Sequence, residues 1–311
     1  MINKNKRTNL SFTIICNTNA NGGESIGNIS EVQKIVSGGK VYAVRTRESA
    51  KNAILECSGL HDKLSVVATG TSTKVAQKKT DVDNNASNNP NHAISGYMAT
   101  KEQTKGATLT KSSPLDVSDM VLVEPFLNPV RIGNNIGLAK ICQEELLKVG
   151  KSLKDADIAN CGLMLRNREV AYGMAKYSTC LLLEELGVDY NFREEMSPNE
   201  KVNVVYSLLD GIEHLSTTCR GELMNSSPLF IVGGISEKTV KPFDYLVRVE
   251  NNKLLLSCDA QRLLKNENMA IAVVSGIFDN EKELREKYNI ITVPEFFDKM
   301  RELSKIYYLG E

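Results

Sequence analysis

The chain has no tryptophan, only three histidines and an aromatic content of 6% in 311 residues. Its seven cysteines (16, 57, 142, 161, 180, 219 and 258) include no CxxC pair. That spacing excludes a readable zinc site or disulfide framework and predicts reduced, mostly buried thiols. G-x-x-x-x-G-K-[ST] and G-x-G-x-x-G are both missing, which removes a P-loop or dinucleotide fold. No apolar run approaches the roughly 20 residues of a membrane helix, and the charged first residues do not open a signal peptide. A soluble cytoplasmic protein without membrane contact is therefore expected. No metal or other cofactor is expected, because His61, His92 and His214 are scattered without relay or ligand spacing.

What is present is a large core and a divided charge. At 41% apolar the chain can bury one elaborated domain. The net charge is zero, yet Lys and Arg outnumber Asp and Glu by 15 to 8 in residues 1–111 and are outnumbered 23 to 30 in residues 112–311. A basic front is the electrostatic signature of nucleic-acid binding, and an acidic back favours head-to-tail association of identical copies.

Apolar residues 10–16 read as a strand that opens into a polar loop carrying Asn19, Gly22, Gly23 and Gly27. Residues 47–57 read as a helix, entered through Arg45, Arg47, Ser49 and Lys51. Strand, glycine loop and cations at a helix entrance can hold a phosphodiester chain, since backbone N–H groups, a helix dipole and guanidinium groups converge there. A solvated edge with an Arg–Glu pair is the competing interpretation of Arg45 and Arg47. Residues 69–91 are rich in Thr, Lys, Asn and Asp, and their Asn-rich core predicts a mobile excursion. Tyr97 and Met98 restart order, to pack in the core or to lie against a base. Lys101, Lys105 and Lys111 follow as a basic projecting element or as solubilising charges. A second excursion spans residues 128–167, with a short helix near 138–149.

Further on, residues 169–177 read as a strand. Ser197 and Glu200 form a capping box around Pro198 and start a helix to about residue 215. Residues 217–221, containing Arg220 and Gly221, read as a polar turn in which Arg220 complements the preceding helix dipole. Strands are expected at 229–232 and 269–275, and a helix at 294–306. The order predicts an α+β chain, a modified ferredoxin-like or RNA-recognition-motif palm with large insertions. The usual aromatic RNP sequence is absent, so RNA recognition would run through backbone and shape.

Seven segments in order carry a family resemblance: residues 23–28, 42–54, 96–98, 113–118, 122–126, 220–221 with 227–230, and 274–280. With these the chain resembles the backbone subunit of a type I CRISPR interference (Cascade) complex, of the DevR or Cst-type group and type I-B, within the repeat-associated RNA-binding superfamily. The resemblance implies a non-catalytic hand-shaped protein in many copies on one CRISPR RNA. It implies fingers at residues 65–111, a thumb at 128–167 and the rest of the palm with C-terminal α/β elements at 168–311. Implied partners are CRISPR RNA, a target DNA strand paired to the guide, other Cascade subunits and copies of itself head-to-tail. Arg45, Arg47, Ser49 and Lys51 match the stretch that grips the guide backbone, and Arg220 and Gly221 a loop that approaches RNA. Glu48 departs from that pattern unless it complements the helix dipole. The alternative implied by related complexes is a metal-dependent RNA endonuclease subunit using Asp62, Asp81 or Asp83.

Overall fold

The computed structural model describes residues 7–20, 22–26, 29–61, 65–69, 72–76, 84–99, 108–152, 154–219, 221–237 and 239–310. Strand β1 (Thr8–Asn19) leads to β2 (Gly22–Ile26), β3 (Ile29–Ser37), β4 (Lys40–Arg45) and helix α1 (Arg47–Cys57). The hairpin β5–β6 (Ser65–Thr69, Ser72–Ala76) precedes α2 (Pro90–Ser95), and the hairpin β7–β8 (Tyr97–Ala99, Leu109–Lys111) follows it. Then come β9 (Leu115–Val117), β10 (Met120–Leu122), β11 (Val130–Asn134), α3 (Ile136–Lys148), β12 (Leu165–Glu169) and β13 (Tyr172–Leu182). A small hairpin, β14–β15 (Val188–Asp189, Glu194–Glu195), precedes α4 (Pro198–Glu213). The hairpin β16–β17 (Ser216–Cys219, Glu222–Asn225) precedes β18 (Pro228–Glu237). The chain ends with β19–β20 (Val247–Glu250, Lys253–Leu256), α5 (Cys258–Leu263), β21 (Met269–Val273), α6 (Glu281–Lys287), β22 (Ile290–Ile291) and α7 (Val293–Leu309).

Among the described residues twelve strands join in one mixed sheet, ordered β11-β12-β3-β4-β10-β13-β1-β18-β21-β22, with β2 on β3 and β9 on β13. Its centre is antiparallel, β18-β1-β13-β10. With α1 and α4 as the connecting helices this is the ferredoxin-like order 4-1-3-2, so the α+β palm expected from the element order is present. Alternation along β1 feeds two cores. Leu10, Phe12, Ile14 and Cys16 pack under α1, α4 and α7, while Ile15 faces Phe230, Phe243 and Leu254 on the other side. Side-chain room is scarce at the centre: a Cβ at Gly233 would lie 2.0 Å from the Ser11 carbonyl oxygen. That is why Gly233 and Gly234 sit inside β18 rather than after it, where the sequence suggested the strand's end.

Local capping chemistry accounts for the helices that match expectation. Ser197 and Glu200 close the capping box of α4, and Thr292 and Glu295 do the same for α7. Three expectations are corrected. Gly22 and Gly23 stand in β2 rather than in an open loop: Gly22 is the ladder partner of Val32 in β3, and Gly23 falls where the register shifts. The turn expected at 217–221 is mostly strand β16, with only its end, at Gly221, in the turn of a hairpin. The Asn-rich stretch is an ordered plug from residue 84 onward, with Asn85 and Ala86 buried. Its asparagines stand in for backbone partners: Asn85 accepts from the Ser87 N–H, Asn88 from the Asn85 N–H and Asn89 from the Asn91 N–H at the start of α2. Burial is then offset by hydrogen bonds rather than by apolar area. The thiols are all free; three are buried, two half-buried, and Cys142 and Cys258 exposed.

Candidate nucleic-acid interface

Where β1 ends and β13 begins, Asn19 is paired with Tyr172, and the Ala20 N–H donates to the Ala171 carbonyl at 2.8 Å. Beside this junction the ribbon β11–β12 forms the sheet edge, and the hairpin β16–β17 stands opposite. A groove of about 660 Å³ lies between them, lined by Asn19, Ala20, Arg131, Asn135, Met164, Arg166, Arg168, Tyr172, Cys219 and Glu222.

The ribbon concentrates positive charge. Arg131 is the direct cross-strand partner of Arg168, and Gly133 that of Arg166. With a side-chain period of two, all three guanidinium groups project from one face. Like charges directly opposite each other weaken a ladder, and none of the three makes an ion pair among the described residues. The nearby carboxylate of Glu169 is already engaged, accepting from Lys34 Nζ and from the Val32 N–H at 3.0 Å. Glu222, exposed on the opposing hairpin, is the second acidic residue in the lining beside Glu169.

Arg45 lies behind the groove, only 2% exposed. Its Nε donates to the Asn19 carbonyl at 3.2 Å, Nη1 to Ser49 Oγ at 2.6 Å, and Nη2 to Asn19 Oδ1 at 2.8 Å and the Thr218 carbonyl at 3.0 Å. Burial pulls its pKa down, partly opposed by the Cys219 and Cys16 thiols; a guanidinium stays charged regardless. The same burial pushes the Cys16 thiol up to about 12, although Arg45 works against it. Arg45 thus ties the end of β1, the first turn of α1 and the hairpin β16–β17 together.

The remaining cations expected at the surface are placed differently. Lys51 Nζ donates to Ser113 Oγ at 2.6 Å and the Leu115 carbonyl at 3.1 Å, and Lys111 Nζ to the Glu185 carbonyl at 3.2 Å; burial lowers both pKa values. These ammonium groups satisfy carbonyls that the fold would otherwise bury unpaired. Arg47 is exposed but bonded to Glu48 at 2.8 Å, the Arg–Glu pair weighed as an alternative. The entrance of α1 is closed to an outside anion: Asp119 accepts from the Arg47 N–H at 2.7 Å, and the Thr46 side chain from the Ser49 N–H. Tyr97 is buried, its hydroxyl donating to Asp189, while Met98 is exposed. Of the expected set, the fold therefore brings Asn19, Arg45 and Ser49 together, with the hairpin of Gly221 bonded to them through Thr218. It separates them from the Tyr97–Lys111 pair on β7–β8. Lys101, Lys105, Arg220, Asp62, Asp81 and Asp83 lie outside the described residues.

Sequence reading did not single out Arg131, Arg166, Arg168 or Tyr172. The available signal was the Arg-x-Arg alternation at 166–168, but its partner lies more than thirty residues away across an insertion. Arg131, Arg166 and Arg168 also belong to the segment with the acidic balance, so the front-to-back division of charge does not map onto the folded surface.

One cluster could be considered for a metal among the described residues, Asp210, Glu213 and His214. Arg301 already sits on it, 2.6 Å from Glu213 and 4.0 Å from Asp210. No described helix is long and apolar enough to cross a membrane.

No family model and no curated protein matches this chain. Among solved structures it is similar to a chain of a "CRISPR RNA-guided surveillance complex, pre-nicking", with a TM-score of 0.59 and 9% identity over 95% of this chain and 100% of that one. It is likewise similar to a chain of a "CRISPR RNA-guided surveillance complex", with a TM-score of 0.54 and 9% identity over 95% and 99% of the two chains. At 9% identity, what the three chains share is a fold that extends over nearly their whole lengths.

Proposed function

We propose that this chain is a non-catalytic, multi-copy backbone subunit of a type I CRISPR interference complex, holding CRISPR guide RNA by its sugar-phosphate backbone in the groove between β11–β12 and β16–β17. The observation that carries this reading is the arginine triad, which makes no ion pair among the described residues, with Arg131 and Arg168 set against each other at a cost that bound phosphate would repay. Contacts to phosphate and sugar fix the strand without reading it, which leaves base edges free to pair with a target DNA strand.

Arg47 and Met98, both exposed, are further contacts along the strand, together with Gly22, Gly23, Gly221, Lys101, Lys105 and Arg220. Lys51, Lys111 and Tyr97 act inside the chain, and Arg45 acts on the groove through the segments it ties. The insertion built from β11, α3 and β12 serves as the thumb, reaching a neighbouring copy. Successive copies associate head-to-tail, the arginine groove of one toward the acidic far end of the next, and further subunits of the complex cap the array. The alternative is a metal-dependent RNA endonuclease subunit using Asp62, Asp81 or Asp83; the one candidate metal cluster among the described residues, Asp210 with Glu213 and His214, already carries Arg301 and adds no support to it.

The test is binding of a labelled single-stranded RNA across a salt series. For single strands the slope of log affinity against log salt scales as about 0.7 per phosphate contact, so replacing Arg131, Arg166 and Arg168 together by Ala should flatten it by about 2 and weaken binding at physiological salt by about tenfold or more. An unchanged slope and affinity would overturn the placement of RNA in this groove. RNA cut in the presence of magnesium would move the chain to the nuclease reading.

A further inference from the structure

Many of the chain's few aromatic side chains serve packing, while Tyr172, Tyr190, Tyr245 and Tyr307 are exposed. Phe12, Tyr177, Phe230, Phe243, Phe296 and Phe297 are buried in the two cores. Among the exposed tyrosines Tyr172, at 61%, lines the arginine groove and also a neighbouring cleft of about 380 Å³, where Phe126 and Pro129 lie. Its ring is therefore a wall between two hollows, with water against most of its surface.

The backbone beneath it is firmly held. Tyr172 pairs with Asn19 in the ladder, the preceding Ala171 carbonyl accepts from Ala20, and the Val170 N–H donates to the Pro129 carbonyl at 3.1 Å. The Arg131 guanidinium stands over the ring, 5.8 Å from its centroid. An exposed tyrosine on a fixed strand end, with a cation over it and two more arginines along the same face, unites the two parts of a single-strand site. A π-surface takes a base, and adjoining charges take the phosphates that flank it.

We infer that Tyr172, together with the Arg131 guanidinium, is a stacking platform for one unpaired nucleobase of single-stranded RNA. This rests on the phosphate-groove reading and adds a base contact that the missing RNP aromatics did not suggest. It is sequence-tolerant, because every base has a π-face. It also gives the strand a defined register relative to the arginines.

The absence of tryptophan makes the test specific, since Tyr172→Trp places a single indole in the chain. Its emission should be quenched saturably by a single-stranded oligouridylate and left unchanged by inorganic polyphosphate, which offers charge without bases. In parallel, Tyr172→Ala should weaken binding of the same RNA by about tenfold to a hundredfold with its salt slope intact, and Tyr172→Phe should bind within about twofold of the parent. Labelled RNA that binds normally without altering the indole, together with full affinity of Tyr172→Ala, overturns the platform and leaves the phosphate groove standing. RNA that fails to bind the parent chain at all overturns both.

Discussion

The two ends of the β1–β13 strand pair are built on opposite principles. They are separated by about 34 Å of strand. At the Asn9–Leu182 end, polar groups are used up internally. Asn9 Nδ2 donates to the Ser236 and Thr239 carbonyls, and the Tyr308 hydroxyl to the Leu183 carbonyl at 2.6 Å. Buried Asp189 accepts from the Ala86, Asn191 and Phe192 N–H groups and the Tyr97 hydroxyl. Glu184 accepts from the Thr8 N–H at 3.2 Å, and Glu195 is paired with Lys201. At the Asn19–Tyr172 end, three arginines are crowded without an ion pair among the described residues, and one buried arginine is bonded to neutral oxygens. Stability is invested at the first end, and at the second it is forgone where a ligand's charge would complete the site.

Substitutions should separate the two ends. The largest effect is expected at the far end: Asp189→Ala strands four donors, the closest being the Tyr97 hydroxyl at 2.8 Å, and should cost about 3 kcal/mol in thermal or denaturant unfolding. RNA affinity of the folded variant should stay unchanged; a fall would mean that the ends are coupled. Next is Arg45→Met, expected to cost about 2 kcal/mol, since carbonyls of Asn19 and Thr218 lose a buried donor. Its RNA affinity should drop with the salt slope preserved. A slope lower by about one would instead put Arg45 on a phosphate.

Alkaline pH sharpens the comparison further. Burial holds the Cys16 thiol at about 12 against an ordinary 9.0, so between those values the unfolded chain releases a proton that the folded chain keeps. Stability is therefore complete below about pH 9 and falls as pH rises through the window, by about 1 kcal/mol near pH 9.5. Tyr97, also raised to about 12 by burial at the other end, adds its loss only above about pH 10. Denaturant titrations of Cys16→Ser and Tyr97→Phe across this range should lessen the lower and upper parts of the decline respectively, while Cys180, raised by burial to about 11, keeps its own share of the lower part. The smallest effect has the opposite sign. Replacing Arg168 by Ala should stabilise the protein by about 0.5 kcal/mol, because the like charge facing Arg131 disappears. A clear destabilisation would show that the arginines serve the fold and not a ligand.

Elements ruled by nearby residues were legible in advance. Helix α1 lies where its Ala50, Ala53 and Ile54 spacing put it, α4 begins at the Ser197 capping box, and β1 follows its apolar run. The ferredoxin-like order followed from the sequence of those elements. The asparagine plug was misread because composition reports how little apolar surface a stretch offers, not whether Asp189, about a hundred residues on, will accept its N–H groups.

By itself the sequence determined the principal helices, the central strands, the order of the palm and the scarcity of aromatics, because capping, periodicity and composition act over a few residues. Only the tertiary structure decided that Arg45, Lys51 and Lys111 turn inward while Arg131, Arg166 and Arg168 share one face with Tyr172. Those outcomes depend on strand register and burial. The pairing of Arg131 with Arg168 across the α3 insertion is a contact between distant residues, which no local pattern encodes.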